Sequence, residues 1–142
     1  MSFAAKILAR AIAAIVLFAA SAAGAVGFQY LSIPNETASP ITIGVWYPSD
    51  APATSSSVGY LDQTVAADGA VKGSRLPLVV ISHGSRGWYG GHQDTALALA
   101  EAGFVVVALT HPGDNAREVD PKSLQIFIHR PQQIGRVIGY MT

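Results

Sequence analysis

The stretch Leu78–Gly91, LVVISHGSRGWYGG, decides the fold of this chain. It opens with four apolar residues without alternation, which is typical of a strand covered on both faces in a parallel sheet. The strand leads directly into His-Gly-Ser and a glycine-rich loop, and the residues after the loop favour a helix. A turn between a parallel strand and a helix can present a backbone N–H to a negatively charged oxygen. The stretch therefore predicts both an α/β fold and a candidate site.

A second apolar run, Phe104–Leu109, predicts the parallel partner of the first strand. Between the two runs, His92–Ala102 has high helix propensity, and Gly103 stands where a left-handed C-cap residue belongs. Strand, helix and strand within about 30 residues form a βαβ crossover. A last helix is expected to open at Pro131, since proline suits the first helical turn.

The last predicted helix carries an apolar stripe that consists of Ile134, Val137, Ile138 and Met141. These residues follow one another at the i, i+3, i+4 and i+7 spacing of a single helix face. The stripe predicts that this helix packs against the sheet.

The N-terminal side of the stretch is β-rich. The runs Phe28–Ile33 and Ile41–Tyr47 favour strands and are separated by turn residues, so we expect a hairpin or meander. The region Pro48–Gly73 shows no sustained period and is interpreted as a loop of about 25 residues. The predicted order is β-β-β-α-β-α, which places the chain in the α/β class.

The first 25 residues have the layout of a secretory signal peptide. Lys6 and Arg10 give a positive start, Ala11–Ala20 is apolar, and Ala23-Gly24-Ala25 is an A-x-A cleavage site. We therefore expect a signal peptide at residues 1–25, a single domain at residues 26–142, and export to the periplasm or the medium. The alternative is an uncleaved membrane anchor, because residues 11–28 carry no charge.

Composition excludes several kinds of function. Nine basic residues balance nine acidic ones without a basic stripe, so nothing supports nucleic-acid binding. The chain has no cysteine, which excludes disulfides and cysteine-based zinc sites. Its four histidines lie at no HExxH-like spacing, and we expect no metal.

Two segments carry a family resemblance: LPLVVISHGSRGWYGGHQDTALALAEAGFVVVALTHPGDN and, after it, RPQQIGRVIGYM. They resemble the N-terminal half of α/β-hydrolase-fold enzymes, most closely the predicted dienelactone hydrolases and the platelet-activating-factor-acetylhydrolase-like esterases. The resemblance spans about Phe28 to Met141. It implies two antiparallel strands followed by a parallel strand–helix–strand–helix unit. It also implies that the third strand lies between the fourth and a fifth, which leaves Leu78–Ile81 at an edge here.

The resemblance implies an exported serine hydrolase that acts on small esters or lactones without a cofactor. In such enzymes a G-x-S-x-G nucleophile elbow follows the second helix, and the acid and the histidine come later. No such elbow occurs here, since Gly84-Ser85-Arg86-Gly87 is one residue short on its N-terminal side. We expect the chain to end before the nucleophile strand and to be inactive alone.

The residues that the resemblance places in this chain belong to the oxyanion turn. By resemblance, the backbone N–H of Ser85 is the oxyanion donor, and Gly84 and His83 support it. Gly84 is expected to let the backbone turn and come close to substrate. His83 is expected to order the loop through hydrogen bonds and not to act as a base, because the family's base lies far downstream.

Other residues allow two interpretations. Trp88 and Tyr89 either line an acyl or alcohol pocket or only pack over the end of the sheet. His111, in the His111–Asn115 turn, either lines the substrate crevice or only shapes the turn. Arg130 is expected to pair with a carboxylate across the sheet. Ser85, His92 and Asp94 are the residue types of a catalytic triad. They lie within ten residues around one helix start, so we do not expect them to align as a triad.

Two alternatives to a hydrolase remain open. One is a non-enzymatic, exported binding module built on half of the fold. The other is a membrane-anchored interaction protein held by the N-terminal segment. An exposed apolar edge strand at Leu78–Ile81 argues against the binding module, because such edges promote aggregation.

Overall fold

Two helices cover the two faces of one six-stranded mixed sheet in the computed structural model, which describes residues 24–35, 39–119 and 126–142. The strands are β1 (Ala25–Ile33), β2 (Ile41–Ser49), β3 (Thr54–Val58), β4 (Leu61–Ala67), β5 (Leu78–Ser82) and β6 (Val105–Thr110). The helices are α1 (Gln93–Glu101), which follows a 3₁₀ turn at Tyr89–His92, and α2 (Ile126–Met141). The α/β class is therefore confirmed.

The predicted signal peptide lies, apart from its last two residues, outside the described part of the chain. In the described ranges, no helix combines the length and the hydropathy needed to cross a membrane.

The strand order is β3-β4-β1-β2-β6-β5. Strands β1 and β2 pair antiparallel, with Phe28 opposite Trp46, which confirms the predicted hairpin. Strands β5 and β6 pair parallel, with Val80 opposite Val107, which confirms the crossover pair. In this order β5 lies at the edge of the sheet and pairs with β6, the position expected for Leu78–Ile81.

Strand β6 is apolar at every position except its last, Thr110, because both of its faces are buried. Val106 and Ala108 belong to the core under α1, whereas Val107 and Leu109 belong to the core on the opposite face, which includes Val137 of α2. These four side chains of β6 are each at most 1% exposed. Because both faces are covered, the strand shows no alternation of polar and apolar residues.

Helix α1 ends as the sequence predicts. Gly103 has a φ of +99°, and its N–H donates to the carbonyl of Ala100 at 3.0 Å. The N–H of Phe104 donates to the carbonyl of Leu99 at 3.1 Å. This is a Schellman C-cap, in which a left-handed glycine satisfies the last helical carbonyls.

The interpretation of Pro48–Gly73 as a loop is wrong, because this region contains the antiparallel hairpin β3–β4. Strand β3 reads TSSSV and is mostly exposed, so it lacks an alternating apolar signal. Val58 and Val65 are fully buried and attach the hairpin to the core. The hairpin turns at Gly59, whose φ of +65° suits the first central position of a two-residue turn.

The predicted start of the last helix is also wrong. Helix α2 begins at Ile126, and Pro131 lies inside it. Its inward face contains Gln133 at 7% exposure and Val137 at 0%, whereas Ile138 is 41% exposed. The buried face is thus rotated toward Gln133, because this helix satisfies buried polar groups of the sheet as well as packing apolar ones.

Candidate functional site

The residues Gly84–Gly87 form a tight turn directly after β5. The N–H of Gly87 donates to the carbonyl of Gly84 at 3.3 Å, and Arg86 has a φ of +59°. A positive φ at the third residue is characteristic of a type II turn. The left-handed residue of this turn is therefore Arg86, and Gly84 has no positive φ. A Cβ added at Gly84 would meet nothing within 4 Å, so the turn faces open space.

The backbone N–H of Ser85 is a donor without an acceptor in the described part of the chain. Its neighbours are engaged: the N–H of Arg86 donates to Oδ1 of Asp114 at 3.2 Å, and that of Gly87 closes the turn. Ser85 is exposed, so its N–H is open to a ligand. An oxygen that carries developing negative charge is a suitable acceptor.

Arg130 fixes the direction of this donor. Its Nη1 donates to the carbonyl of His83 at 2.5 Å, and its Nη2 donates to the carbonyl of Gly84 at 2.9 Å. The carbonyl of Gly84 and the N–H of Ser85 belong to one planar trans peptide and point in opposite directions. Since Arg130 holds the carbonyl, the N–H of Ser85 points away from Arg130.

Asp114 holds Arg130 in place. Its Oδ2 accepts from Nη2 of Arg130 at 2.5 Å and from Nε at 3.0 Å, and the residue is 4% exposed. Burial alone would raise the pKa of the Asp114 carboxyl, but the N–H of Arg86 and the guanidinium of Arg130 outweigh it and lower the pKa. The expected pairing of Arg130 with a carboxylate is confirmed, and the carboxylate lies in the loop after β6.

His83 orders the same loop from the other side. Its Nε2 accepts from the N–H of His111 at 3.0 Å, and its Nδ1 lies 2.5 Å from the carbonyl of Gly84. The residue is 4% exposed, and burial is the largest cause of its lowered pKa. The imidazole is therefore neutral at pH 7, with Nδ1 as the donor and Nε2 as the acceptor.

A second histidine joins a serine and an amide in the order of a catalytic relay. Nε2 of His111 lies 2.8 Å from Oγ of Ser82, and Nδ1 lies 2.6 Å from Oε1 of Gln133. However, His111 is fully buried, and burial is the main cause that lowers its pKa to about 4. A general base works best with a pKa near the operating pH. We therefore interpret this group as a structural link between β5, β6 and α2.

Sequence reasoning missed Gln133 and Asp114. Gln133 lies four residues before Val137 and therefore on the same buried face of the helix. A polar residue on an otherwise apolar face is the signal in the sequence that could have indicated a buried hydrogen bond. Asp114 stands in a run of turn residues, where an aspartate normally needs no distant partner.

Trp88 and Tyr89, which follow the turn in the chain, line a cavity of about 560 Å³. Tyr60, Thr110 and Asn115 also contribute to its wall, whereas His111 is not among the lining residues. The volume falls in the range of small-molecule sites in proteins.

Two other arrangements are not found in the described ranges. No three histidine, aspartate or glutamate side chains come together in a way that could hold a metal ion. No hydrogen bond joins Ser85, His92 and Asp94, and Oδ1 of Asp94 instead accepts from the N–H of Thr95 at 2.8 Å.

Acid is expected to destabilise the protein through His111. In the unfolded chain its pKa is about 6.5, and in the folded state about 4, so the unfolded state binds more protons between these values. The free energy of unfolding should be constant above pH 7 and fall by up to about 3 kcal/mol as the pH drops to 4. His83 acts in the same direction, and Asp114 adds a further loss only at lower pH.

Urea denaturation between pH 8 and 4 measures this dependence, and NMR titration of the His111 ring measures its pKa directly. A ring pKa near 6.5 for His111 would contradict the prediction.

No model of a protein family matches the chain, and no curated protein matches it.

Proposed function

We propose that this chain supplies the oxyanion turn of an exported serine hydrolase with the α/β-hydrolase fold, similar to the dienelactone-hydrolase-like and platelet-activating-factor-acetylhydrolase-like esterases. Its substrate is a small ester or lactone. The observation that carries the proposal is the exposed N–H of Ser85, which has no acceptor in the described residues and is oriented through Arg130. A preorganised backbone donor of this kind is typical of acyl-transfer sites.

The sheet order supports the proposal. In the hydrolase family the third strand of the fold lies between the fourth and the fifth. The resemblance makes β5 of this chain that third strand and β6 that fourth strand. Here β5 pairs with β6, and its other edge is unpaired in the described residues. A fifth strand is therefore expected to pair with β5 in the intact domain. That strand would end in the G-x-S-x-G elbow that carries the nucleophile.

The role of this chain in the reaction follows from the turn. When a serine Oγ attacks the carbonyl carbon of an ester, the carbonyl oxygen becomes negatively charged. The N–H of Ser85 donates to that oxygen, and one such donor stabilises the transition state by about 2.7–4 kcal/mol. The residue after the nucleophile supplies the second donor. His83, Arg130 and Asp114 hold the turn so that the donor need not reorganise during the reaction.

The 142-residue chain alone is expected not to hydrolyse p-nitrophenyl acetate above the rate of buffer. Its own serine–histidine pair, Ser82 and His111, has a base whose pKa of about 4 is too low to activate a hydroxyl at pH 7. Turnover by the chain that disappears in Ser82→Ala would contradict this prediction.

The proposed function is tested with the protein made from the whole reading frame that contains this chain. It should hydrolyse p-nitrophenyl acetate, and a fluorophosphonate should label one serine within a G-x-S-x-G sequence. Absence of both hydrolysis and labelling would overturn the proposal. Mass spectrometry of the mature N-terminus tests export, since cleavage after Ala25 leaves Val26 first, whereas a membrane anchor keeps the first 25 residues.

A non-enzymatic binding module is the second candidate. The observation that favours it is the cavity of about 560 Å³, whose volume places it among small-molecule sites. Under this hypothesis residues 26–142 alone stay soluble and unfold cooperatively despite the edge strand β5. Aggregation of residues 26–142 would favour the hydrolase instead.

A further inference from the structure

The cavity of about 560 Å³ is lined by a connected row of aromatic side chains. Tyr30 contacts Tyr89 with ring centroids 5.5 Å apart, Tyr89 contacts Trp88 at 5.0 Å, and Trp88 contacts Tyr60 at 5.2 Å. All four residues line the cavity. They come from three parts of the chain: β1, the β3–β4 turn, and the segment after the oxyanion turn.

This aromatic row is held in place by its surroundings. A Cβ at Gly59 would lie 2.2 Å from the Trp88 ring, so the indole packs directly on the backbone of the β3–β4 turn. The N–H of Tyr89 donates to Oγ1 of Thr110 at 2.9 Å. The Arg117 guanidinium lies 5.2 Å from the centroid of the Tyr60 ring and donates to its hydroxyl. The cavity is therefore formed before a ligand arrives, as most small-molecule sites are.

The polar groups of the cavity favour a neutral ligand. Its charged lining residues are one cation, Arg117, and one anion, Glu118. Thr42, Ser57 and Thr110 add hydroxyl groups, which suit the oxygen atoms of an alcohol or an ester.

We propose that this cavity binds the aromatic ring of a small neutral molecule, namely an aryl or benzyl ester or the alcohol released from it. Aromatic rings gain from edge-to-face and offset contacts beyond the burial of their area, and five aromatic residues, the four of the row and Phe28, line this cavity. The cavity lies next to the oxyanion turn in sequence, because Trp88 follows Ser85 by three residues. That the bound molecule is a substrate rests on the proposed function, whereas the binding itself does not.

Binding is measured through the fluorescence of Trp88 in the full chain. The chain has two tryptophans, and the other, Trp46, is fully buried in the core. Benzyl alcohol is titrated against cyclohexylmethanol, which has the same number of heavy atoms but no aromatic ring. Benzyl alcohol should change the emission in a saturable way and bind about three- to tenfold more tightly than cyclohexylmethanol. No saturable change, or equal binding of the two alcohols, would overturn the proposal.

Replacing a ring on the cavity wall is the matched variant experiment. Tyr60→Leu keeps Trp88 as the reporter and should weaken benzyl alcohol binding about threefold or more, while the preference over cyclohexylmethanol falls toward one. Tyr60→Phe keeps the ring and should restore the preference. Tyr140→Leu is the control, because Tyr140 is also exposed, lies on α2 and does not line the cavity. The same loss in Tyr140→Leu would contradict the proposal.

Failure of this inference can be told apart from failure of the proposed function. If the chain binds aromatic alcohols selectively but the whole protein hydrolyses no ester, the proposed hydrolase function is contradicted and the aromatic site stands. If the whole protein hydrolyses benzyl acetate and cyclohexylmethyl acetate with equal kcat/KM, and the two alcohols bind equally, the aromatic site is contradicted. The proposed hydrolase function then stands.

Discussion

Replacing Ser85 with proline is expected to lower kcat of the proposed hydrolase by about 100- to 1,000-fold, the loss typical of one oxyanion donor. Proline removes the backbone N–H and changes little else here. Ser85 is the second residue of a type II turn, a position that proline favours. The turn is closed by the N–H of Gly87 and the carbonyl of Gly84, and neither belongs to Ser85. KM should change little, because the donor acts on charge that develops in the transition state.

The matched control is Ser85→Ala, which deletes the hydroxyl and keeps the N–H. Its kcat should stay within about threefold of the unchanged protein, since no hydrogen bond of the Ser85 side chain is found in the described residues. Equal losses in Ser85→Ala and Ser85→Pro would assign the role to the hydroxyl and contradict the backbone donor. Thermal unfolding of both variants should be unchanged, which separates a catalytic loss from a folding loss.

The part of the fold that the sequence predicts correctly has its signal within a short window. Strands β5 and β6 are apolar up to their last residue because both faces are covered, and a continuous apolar run is visible without knowing the partner. Gly103 is equally local, since a left-handed C-cap depends on the backbone of a single residue. These two signals were enough to predict the βαβ unit and the turn that it positions.

The part that the sequence predicts wrongly depends on distant contacts. Strand β3 is almost entirely polar, and its single fully buried residue, Val58, meets a core built from β1, β2 and α1. The residues of that core are far apart in the chain, so no short segment of the sequence shows it. From the sequence alone, the hairpin is therefore interpreted as a loop. Helix α2 begins at Ile126, five residues before Pro131, so the proline lies inside the helix and does not mark its start.

The candidate site divides in the same way. The turn at Ser85 is visible in the sequence, because a strand, a glycine and a helix follow one another there. The groups that orient it are not, since Arg130 lies 46 residues after Gly84 in the chain. The row of aromatic rings is also assembled from three separate segments, so Tyr30 and Tyr60 show no local sign of a shared cavity.

Replacing Arg130 with methionine is expected to reduce the free energy of unfolding by about 3 kcal/mol, the low end for breaking a buried ion pair. The Asp114 carboxylate would stay buried without its partner, and the carbonyls of His83 and Gly84 would each lose a donor. The estimate is at the low end because the Arg130 side chain is 19% exposed. Arg130→Lys should recover less than half of the loss, since an ammonium cannot reach the carboxylate and both carbonyls with a planar fork.

The exposed ion pair of Lys72 and Asp50, 2.7 Å apart, provides the control, because its side chains are 52% and 70% exposed. Lys72→Met should cost at most about 1 kcal/mol in urea denaturation. Adding Asp114→Asn to Arg130→Met should restore at least about 1 kcal/mol relative to the sum of the single changes, since the orphaned charge is gone. Strict additivity of the two changes would show that the pair contributes only packing. In the proposed hydrolase, Arg130→Met should also lower kcat and leave KM nearly unchanged. The Gly84 carbonyl would keep His83 Nδ1 and the Gly87 N–H but lose Arg130, so it would hold the Ser85 N–H less firmly in its direction.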